Sequence, residues 1–223
     1  MDKTPAIFTP EYSRIARAFI DFVNVQVGAY MDACSGFAKN KSIVERQVHR
    51  DVRPDGTKRG LKDAPRVMMT AVKDPTQPDV LMHRIVLVSE YIAANTVAGS
   101  NEQHHARAAI TFLYAYWDEE VRPDLARALG VPTKEITSDI FGDLRLIRHA
   151  VLHNKGVLTD TAYQKLKLIR EHFSPNDVVS LPNATMHRTF ALIKQDMAQR
   201  VINDSGLQGD GTGDIIEVAI QRK

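Results

Sequence analysis

The chain has 223 residues, of which 43% are hydrophobic and 25% charged, proportions typical of a globular protein with one sizeable core. Its formal net charge is only +2, which excludes binding of nucleic acid through overall charge and would require a local basic patch instead. Cys34 is the only cysteine, which excludes an internal disulfide and a cysteine-based zinc site and favours a reducing compartment.

The chain begins MDKTPAIFTPEYSR, without the basic and then apolar segments of a secretory signal. It contains no run of about 18 consecutive apolar residues, so we expect no membrane-spanning helix. These two features predict a cytoplasmic protein that does not associate with a membrane.

The first predicted helix covers residues 10–33. Pro10 and Glu11 are typical of a first helical turn, and apolar residues then recur at helical spacing. Residues 35–77 lose this periodicity and contain the turn sequence RPDG, so they predict a long, mostly non-helical insertion with a short hairpin.

The helical pattern resumes over residues 79–203. A second helix is predicted from about Asp79, and a third from Ser100 or Asn101, with Pro123 kinking or breaking it. A fourth opens at Thr133 or Ser138.

Glycine, capping and proline signals place the remaining helices. Gly156 ends the fourth helix, a fifth runs from Thr159 or Asp160 to Phe173, and a sixth follows Pro182. Residues 204–223 read as a Gly-rich linker followed by a short β-prone tail, IIEVAIQ, which we expect to pair with the insertion. The pattern predicts an all-α bundle of five to six helices in a single domain, 1–223.

The fourth predicted helix carries the stretch FGDLRLIRHAVLHNKG, residues 141–156, in which cationic and titratable side chains share one face. With Arg145 at 0° and about 100° per residue, His149 falls at about 40°, His153 at about 80° and Arg148 at about −60°. The apolar stripe lies elsewhere, between about −100° and −160°. This stripe comprises Ile140, Leu144, Ile147 and Val151.

Phe141 and Leu152 fall inside the polar arc, so we expect this face to be covered, for example by a second subunit.

Three explanations compete for the polar face. It is a solvated face, a metal site built on His149 and His153, or a site for anion chemistry. The metal site is disfavoured because Ala150 stands where the HExxH motif of zinc hydrolases has its glutamate, and because two arginines would repel a cation. Anion chemistry fits the residue types, since arginine binds phosphate and histidine carries a proton near neutral pH.

The segment Arg148-His149-Ala150-Val151-Leu152-His153 resembles the R-x4-6-H signature of the HEPN superfamily (higher eukaryotes and prokaryotes nucleotide-binding). The following Asn154-Lys155-Gly156 is similar to the HN-x-G tail of that family, although His149 stands where asparagine is most frequent. The resemblance covers the helical region from about residue 79 to 201 and leaves residues 35–77 and the tail unexplained.

The resemblance implies an HEPN-like helical bundle that forms a homodimer along the motif helix. It further implies a metal-independent endoribonuclease in a toxin–antitoxin, antiphage or RNA-processing setting, which requires no metal or other cofactor. Its partners would be RNA and an antitoxin protein. Arg148 and His153 correspond to the catalytic pair, and we assign substrate or phosphate binding to His149, Arg145 and Asn154. The alternative is a catalytically silent helical module that binds RNA, a nucleotide or a partner protein.

Two further segments leave alternatives open. The insertion contains six basic residues between Arg50 and Arg66, which form either an RNA-contacting arm or an exposed loop of mixed charge. The aromatic run TFLYAYWDEE favours packing in a core or an interface over base stacking.

Overall fold

The computed structural model describes residues 10–50, 56, 67–73 and 80–205, and the side chains within 11–47, 56 and 85–201. The described part of the chain is mostly helical, which confirms the all-α prediction. Its helices are α1 (Pro10–Arg50), α2 (Val88–Ala94), α3 (Ser100–Tyr116), α4 (Arg122–Leu129), α5 (Asp139–His153), α6 (Asp160–Tyr163) and α7 (Asn183–Ser205). A π-helical turn, Trp117–Val121, joins α3 to α4, and 3₁₀ turns lie at Thr133–Glu135 and Arg170–His172.

Strands form two small antiparallel pairs. β1 (Val67–Lys73) pairs with β2 (Val80–Leu87), with an irregularity between Thr70 and Ala71, and β3 (Val157–Leu158) pairs with β4 (Asp177–Val178). The hairpin predicted within residues 35–77 is found there only in part, because β1 lies in that range whereas β2 lies beyond it, in residues predicted to begin a helix. The linker after Ser205 and the pairing predicted for the tail lie outside the described residues.

The described residues divide into two compact units. The first contains residues 10–30 and 106–205, and the second contains those between 31 and 105. In the first unit, α5 packs against α7, and side chains of α1, α3, α4, α5 and α7 contribute to the core. Its fully buried large side chains include Phe19, Ile110, Leu113, Leu125, Ile140, Leu144, Ile147, Phe190 and Ile193.

Two of the predicted helix limits are wrong. α1 does not end before Ser35 but continues to Arg50, because Phe37 and the buried Val44 extend its apolar spacing past Gly36 and Lys41 pairs with Glu45 at 3.7 Å. Residues 80–87 form a strand rather than the start of a helix. Their apolar and β-branched side chains suit a strand equally well, and pairing with β1 decides the outcome.

The predicted fifth helix is also shorter than expected. α6 ends after one turn at Tyr163, and the Arg170 guanidinium donates hydrogen bonds to the carbonyl oxygens of Gln164 and Leu166. These two carbonyls therefore accept from a side chain. The backbone N–H groups of residues 167–169 donate to the Asp143 carboxylate on α5. Tertiary hydrogen bonds have replaced the helical ones.

Pro123 lies in the first turn of α4 and does not break the helical path. A proline has no N–H to donate and disturbs the turn before it. Here the chain widens into the π-helical turn, in which the Arg122 N–H donates to the Trp117 carbonyl five residues earlier. The helix then continues to Leu129 and ends at Gly130, which has a positive φ of 67°.

Two glycines at opposite ends of α5 give a matched stability test. Gly156 has φ +83°, where a side chain is strained, whereas a methyl group at Gly142 would meet open space beyond the backbone of its own helix. We expect Gly156→Ala to lower the free energy of unfolding by about 1–2 kcal/mol. Gly142→Ala should raise it by about 0.5–1 kcal/mol, since alanine favours a helix interior. Urea denaturation of both variants measures the difference, and changes of the same sign would contradict these backbone assignments.

Candidate functional site

The site is built on α5, whose ends are defined by local hydrogen bonds. At the start, the Ser138 hydroxyl oxygen accepts a hydrogen bond from the Phe141 N–H at 3.4 Å. At the end, Lys155 and Gly156 both adopt positive φ, and the Gly156 N–H donates to the Ala150 carbonyl at 2.9 Å. Of the two predicted starts, Ser138 is confirmed, whereas Thr133 begins a separate 3₁₀ turn, and the role of Gly156 in ending the helix is confirmed.

The aliphatic stripe predicted for this helix faces the core. Ile140, Leu144 and Ile147 are fully buried, and Val151 is half-buried. The opposite arc carries the cationic and titratable side chains, which are exposed at Arg145, His149 and His153. The separation into two faces therefore appears in the structure as the residue spacing predicted.

Phe141 is covered, as its apolar character within the polar arc predicted, but by a residue of its own chain and not by a second subunit. It is only 3% exposed, and its ring stacks on that of Trp117 with centroids 4.2 Å apart. The π-helical turn that carries Trp117 thus covers the first part of the arc within the same chain. Leu152, in the last turn of α5, remains 49% exposed.

Arg148 packs against an aromatic ring and has no hydrogen-bond acceptor among the described residues. Its Cζ lies 5.4 Å from the centroid of the Tyr114 ring, and the side chain is half-buried. Its Nε is buried without a hydrogen-bond partner, and no ion pair to Arg148 exists among the described residues. A guanidinium whose donors are unused in the described fold is suited to receiving an anion.

The Tyr114 ring belongs to a polar layer between α3 and α5. Burial raises the pKa of the Tyr114 phenol, and the nearby Asp118 carboxylate raises it further, while Arg145 and Arg148 act in the opposite direction. Asp118 itself forms an ion pair with Arg122, with Nη1 and Oδ1 3.1 Å apart. The carboxylate nearest to this layer is thus already paired, on the side of α4.

The two imidazoles form a close pair on the surface. The ring centroids of His149 and His153 are 5.0 Å apart, with 48° between their planes. Both side chains are exposed, and neither donates or accepts a hydrogen bond within the part of the chain that the structure describes. Both nitrogens of each ring are therefore open to a substrate or a partner.

Asn154 and Arg145 complete the set of predicted site residues. The Asn154 backbone N–H donates to Ala150, and its side chain is half-buried. Arg145 is exposed one turn before His149. All five predicted residues therefore lie on the last three turns of α5 or at its end.

Sequence reasoning missed Asp143, which is 1% exposed and lies within the motif stretch. Its carboxylate accepts three consecutive backbone N–H groups: Lys167 at 2.9 Å, Leu168 at 2.7 Å and Ile169 at 3.1 Å. Spacing gives no signal for this contact, because its partners are main-chain groups more than 20 residues away. Asp143 ties α5 to the segment that would otherwise have continued the helix after α6.

The packing interpretation of the aromatic run is confirmed for three of its four members. Trp117 and Tyr114 are buried, and the Tyr116 ring stacks on Phe22 with centroids 4.1 Å apart. Phe112 is the exception at 51% exposure, with its ring 5.5 Å from that of Phe22.

Within the described residues, no three His, Cys, Asp or Glu side chains converge on a point that could hold a metal ion. A search of the same residues finds no helix that combines the length and apolarity of a membrane span. Most of the basic segment of the insertion lies outside the described residues.

Comparison of the chain with protein-family models, with curated proteins and with solved structures finds no match in any of the three.

Asp139 provides a matched control for the buried Asp143. We expect Asp143→Ala to lower the free energy of unfolding by about 3 kcal/mol, because three N–H groups lose a charged acceptor. Asp139 lies one turn earlier and pairs with the Lys167 side chain at 2.6 Å, but both groups are more than half exposed. Asp139→Ala should therefore change stability little. Urea denaturation compares the two variants, and equal losses would contradict the proposed role of Asp143.

Proposed function

We propose that the protein is a metal-independent endoribonuclease of the HEPN type. The observation that carries this proposal is the state of Arg148, whose side chain is half-buried and whose buried Nε lacks an acceptor within the described chain, on the same helix as the two exposed imidazoles of His149 and His153. A phosphodiester would supply the missing acceptor, and an imidazole would exchange protons with its oxygens.

The substrate in this proposal is RNA, because its 2′-hydroxyl is an internal nucleophile. His153 takes the proton from the 2′-hydroxyl, and the 2′-oxygen forms a bond to phosphorus while the bond from phosphorus to the 5′-oxygen breaks. A second imidazole gives a proton to the departing 5′-oxygen. Arg148 stabilises the negative charge that builds on the phosphoryl oxygens. The products are a 2′,3′-cyclic phosphate and a 5′-hydroxyl end.

The second imidazole has two candidate sources in this scheme. One is the partner's His153 in a homodimer paired along α5, and the other is His149 of the same chain, 5.0 Å from His153. The half-exposed Leu152 supports a dimer, because it places an apolar side chain in the middle of the polar arc where a second copy would cover it. Arg145 and Asn154 would then bind neighbouring phosphates.

A second candidate function is a silent HEPN-type module that binds RNA, a nucleotide or a partner protein. It is favoured by one observation: within the described chain, neither His149 nor His153 is oriented by a hydrogen bond from a second group, as catalytic histidines usually are. Binding of RNA without turnover would distinguish it from the nuclease. An antitoxin partner and the antiphage or RNA-processing settings belong to the proposal in either form.

The proposal predicts how two alanine variants behave. Cleavage of a labelled RNA pool should persist in EDTA and yield 2′,3′-cyclic phosphate ends. Arg148→Ala and His153→Ala should each lower the rate by at least about 100-fold, because each removes a group acting at the reacting phosphate. Circular dichroism and thermal melts should show that both variants remain folded.

Exposed residues of the same types serve as controls. Arg127, which pairs with Asp124 on α4, and His104 on α3 lie outside the candidate site. Arg127→Ala and His104→Ala should cut RNA at close to the wild-type rate. Wild-type rates in Arg148→Ala or His153→Ala, or activity that disappears with EDTA, would contradict the proposed function.

A further inference from the structure

Arginines in protein interiors are usually held by carboxylates, which neutralise them and occupy their donors. Arg148 is held differently. Its Cζ lies 5.4 Å from the centroid of the buried Tyr114 ring, and no carboxylate among the described residues pairs with it. A ring face attracts a guanidinium through its quadrupole and accepts no conventional hydrogen bond from it. The Nε–H is buried, so the terminal N–H groups of the guanidinium are the donors that remain available to a ligand.

The Tyr114 ring is itself fixed by its surroundings. The side chain is 8% exposed, and Asp118 lies close to its hydroxyl. Asp118 is held by Arg122, and the Arg122 Nε donates to the Ile136 carbonyl at 3.0 Å. This chain of contacts joins α3, the π-helical turn, α4 and the segment that precedes α5.

The same contacts keep negative charge away from Arg148. A tyrosine phenol is neutral at physiological pH, and burial and the Asp118 carboxylate both raise the pKa of Tyr114 further. A tyrosinate at this position would act as an internal counter-ion to Arg148. Asp118, the carboxylate near this layer, is already occupied by Arg122.

We propose that Tyr114 is the positioning residue for Arg148: its ring holds the guanidinium by the face and leaves the edge donors free for a phosphodiester. The effect of Tyr114 on catalysis rests on the proposed function. Tyr114 touches neither substrate nor reacting atoms in this account and acts only through Arg148.

Two substitutions separate the ring from the hydroxyl. Tyr114→Phe keeps the ring face and should retain RNA cleavage within about 3-fold of wild type. Tyr114→Leu removes the ring and should lower kcat about 5- to 30-fold, the range expected for a partly desolvated cation–π contact. If Tyr114→Leu fails to fold, Tyr114→Met fills the volume with a flexible apolar chain and makes the same comparison. Equal activity of Tyr114→Phe and the ring-free variant would overturn the proposal.

A double-mutant cycle distinguishes positioning of Arg148 by Tyr114 from a general packing role of Tyr114. The readout is binding of a 2′-deoxy oligonucleotide, which lacks the nucleophile and so is not consumed. Tyr114→Leu should weaken binding in the wild-type background and have no further effect in the Arg148→Ala background. Equal weakening in both backgrounds would mean that Tyr114 acts through general packing, which overturns the proposal.

A measurement without RNA tests the positioning directly. In the NMR spectrum of the full chain, the Arg148 Nε–H proton should be shifted by the ring current of Tyr114. The shift should persist in Tyr114→Phe and disappear in Tyr114→Leu or Tyr114→Met. If the wild type neither binds nor cuts RNA, the proposed function fails, and this measurement still decides the positioning. A resonance that does not move when the ring is removed would refute it.

Discussion

Burial of the aliphatic stripe on α5 fixes the rotation of that helix about its axis, and the geometry of the site depends on this constraint. Ile140, Leu144 and Ile147 are all fully buried. Turning the helix by one residue, about 100°, would replace Ile147 in the core by Arg148. Loss of one buried aliphatic side chain costs about 2–5 kcal/mol, and burial of an unpaired charge costs more. The buried Asp143 adds a second restraint through its bonds to the segment 167–169.

The fixed rotation of α5 places Arg148 between a covered and an open part of the polar arc. The N-terminal part of the polar arc is covered by Trp117, whereas its C-terminal part is open. Arg148 is half-buried and packs against the Tyr114 ring, not against an anion. Because it is partly removed from water, its charge acts more strongly on a ligand. The fold therefore carries the cost of a half-buried cation that no described carboxylate offsets, which is typical of sites where a ligand completes the electrostatics.

Helical periodicity and capping rules predicted α5 and α7 well, because both helices bury a continuous apolar stripe and end at clear local signals. The predicted polar face was likewise present. The prediction failed where distant groups decide the structure. The residue types of 80–87 suit either a helix or a strand, and pairing with β1 makes them a strand. After α6, hydrogen bonds to the Asp143 carboxylate and from the Arg170 guanidinium determine the path of the chain. The covering of Phe141 by Trp117 and the support of Arg148 by Tyr114 depend on the π-helical turn, for which only Pro123 gives a hint in the sequence.

In the proposed function, Arg148 binds an RNA phosphodiester that is cut through its own 2′-hydroxyl. The most direct measurement compares single-turnover cleavage, in EDTA, of an RNA and of the same strand with one 2′-deoxynucleotide at the cut site. Both strands should bind with similar affinity, and only the all-ribose strand should be cut at that position. Cutting of both strands at equal rates, or binding of both without any cutting, would contradict it.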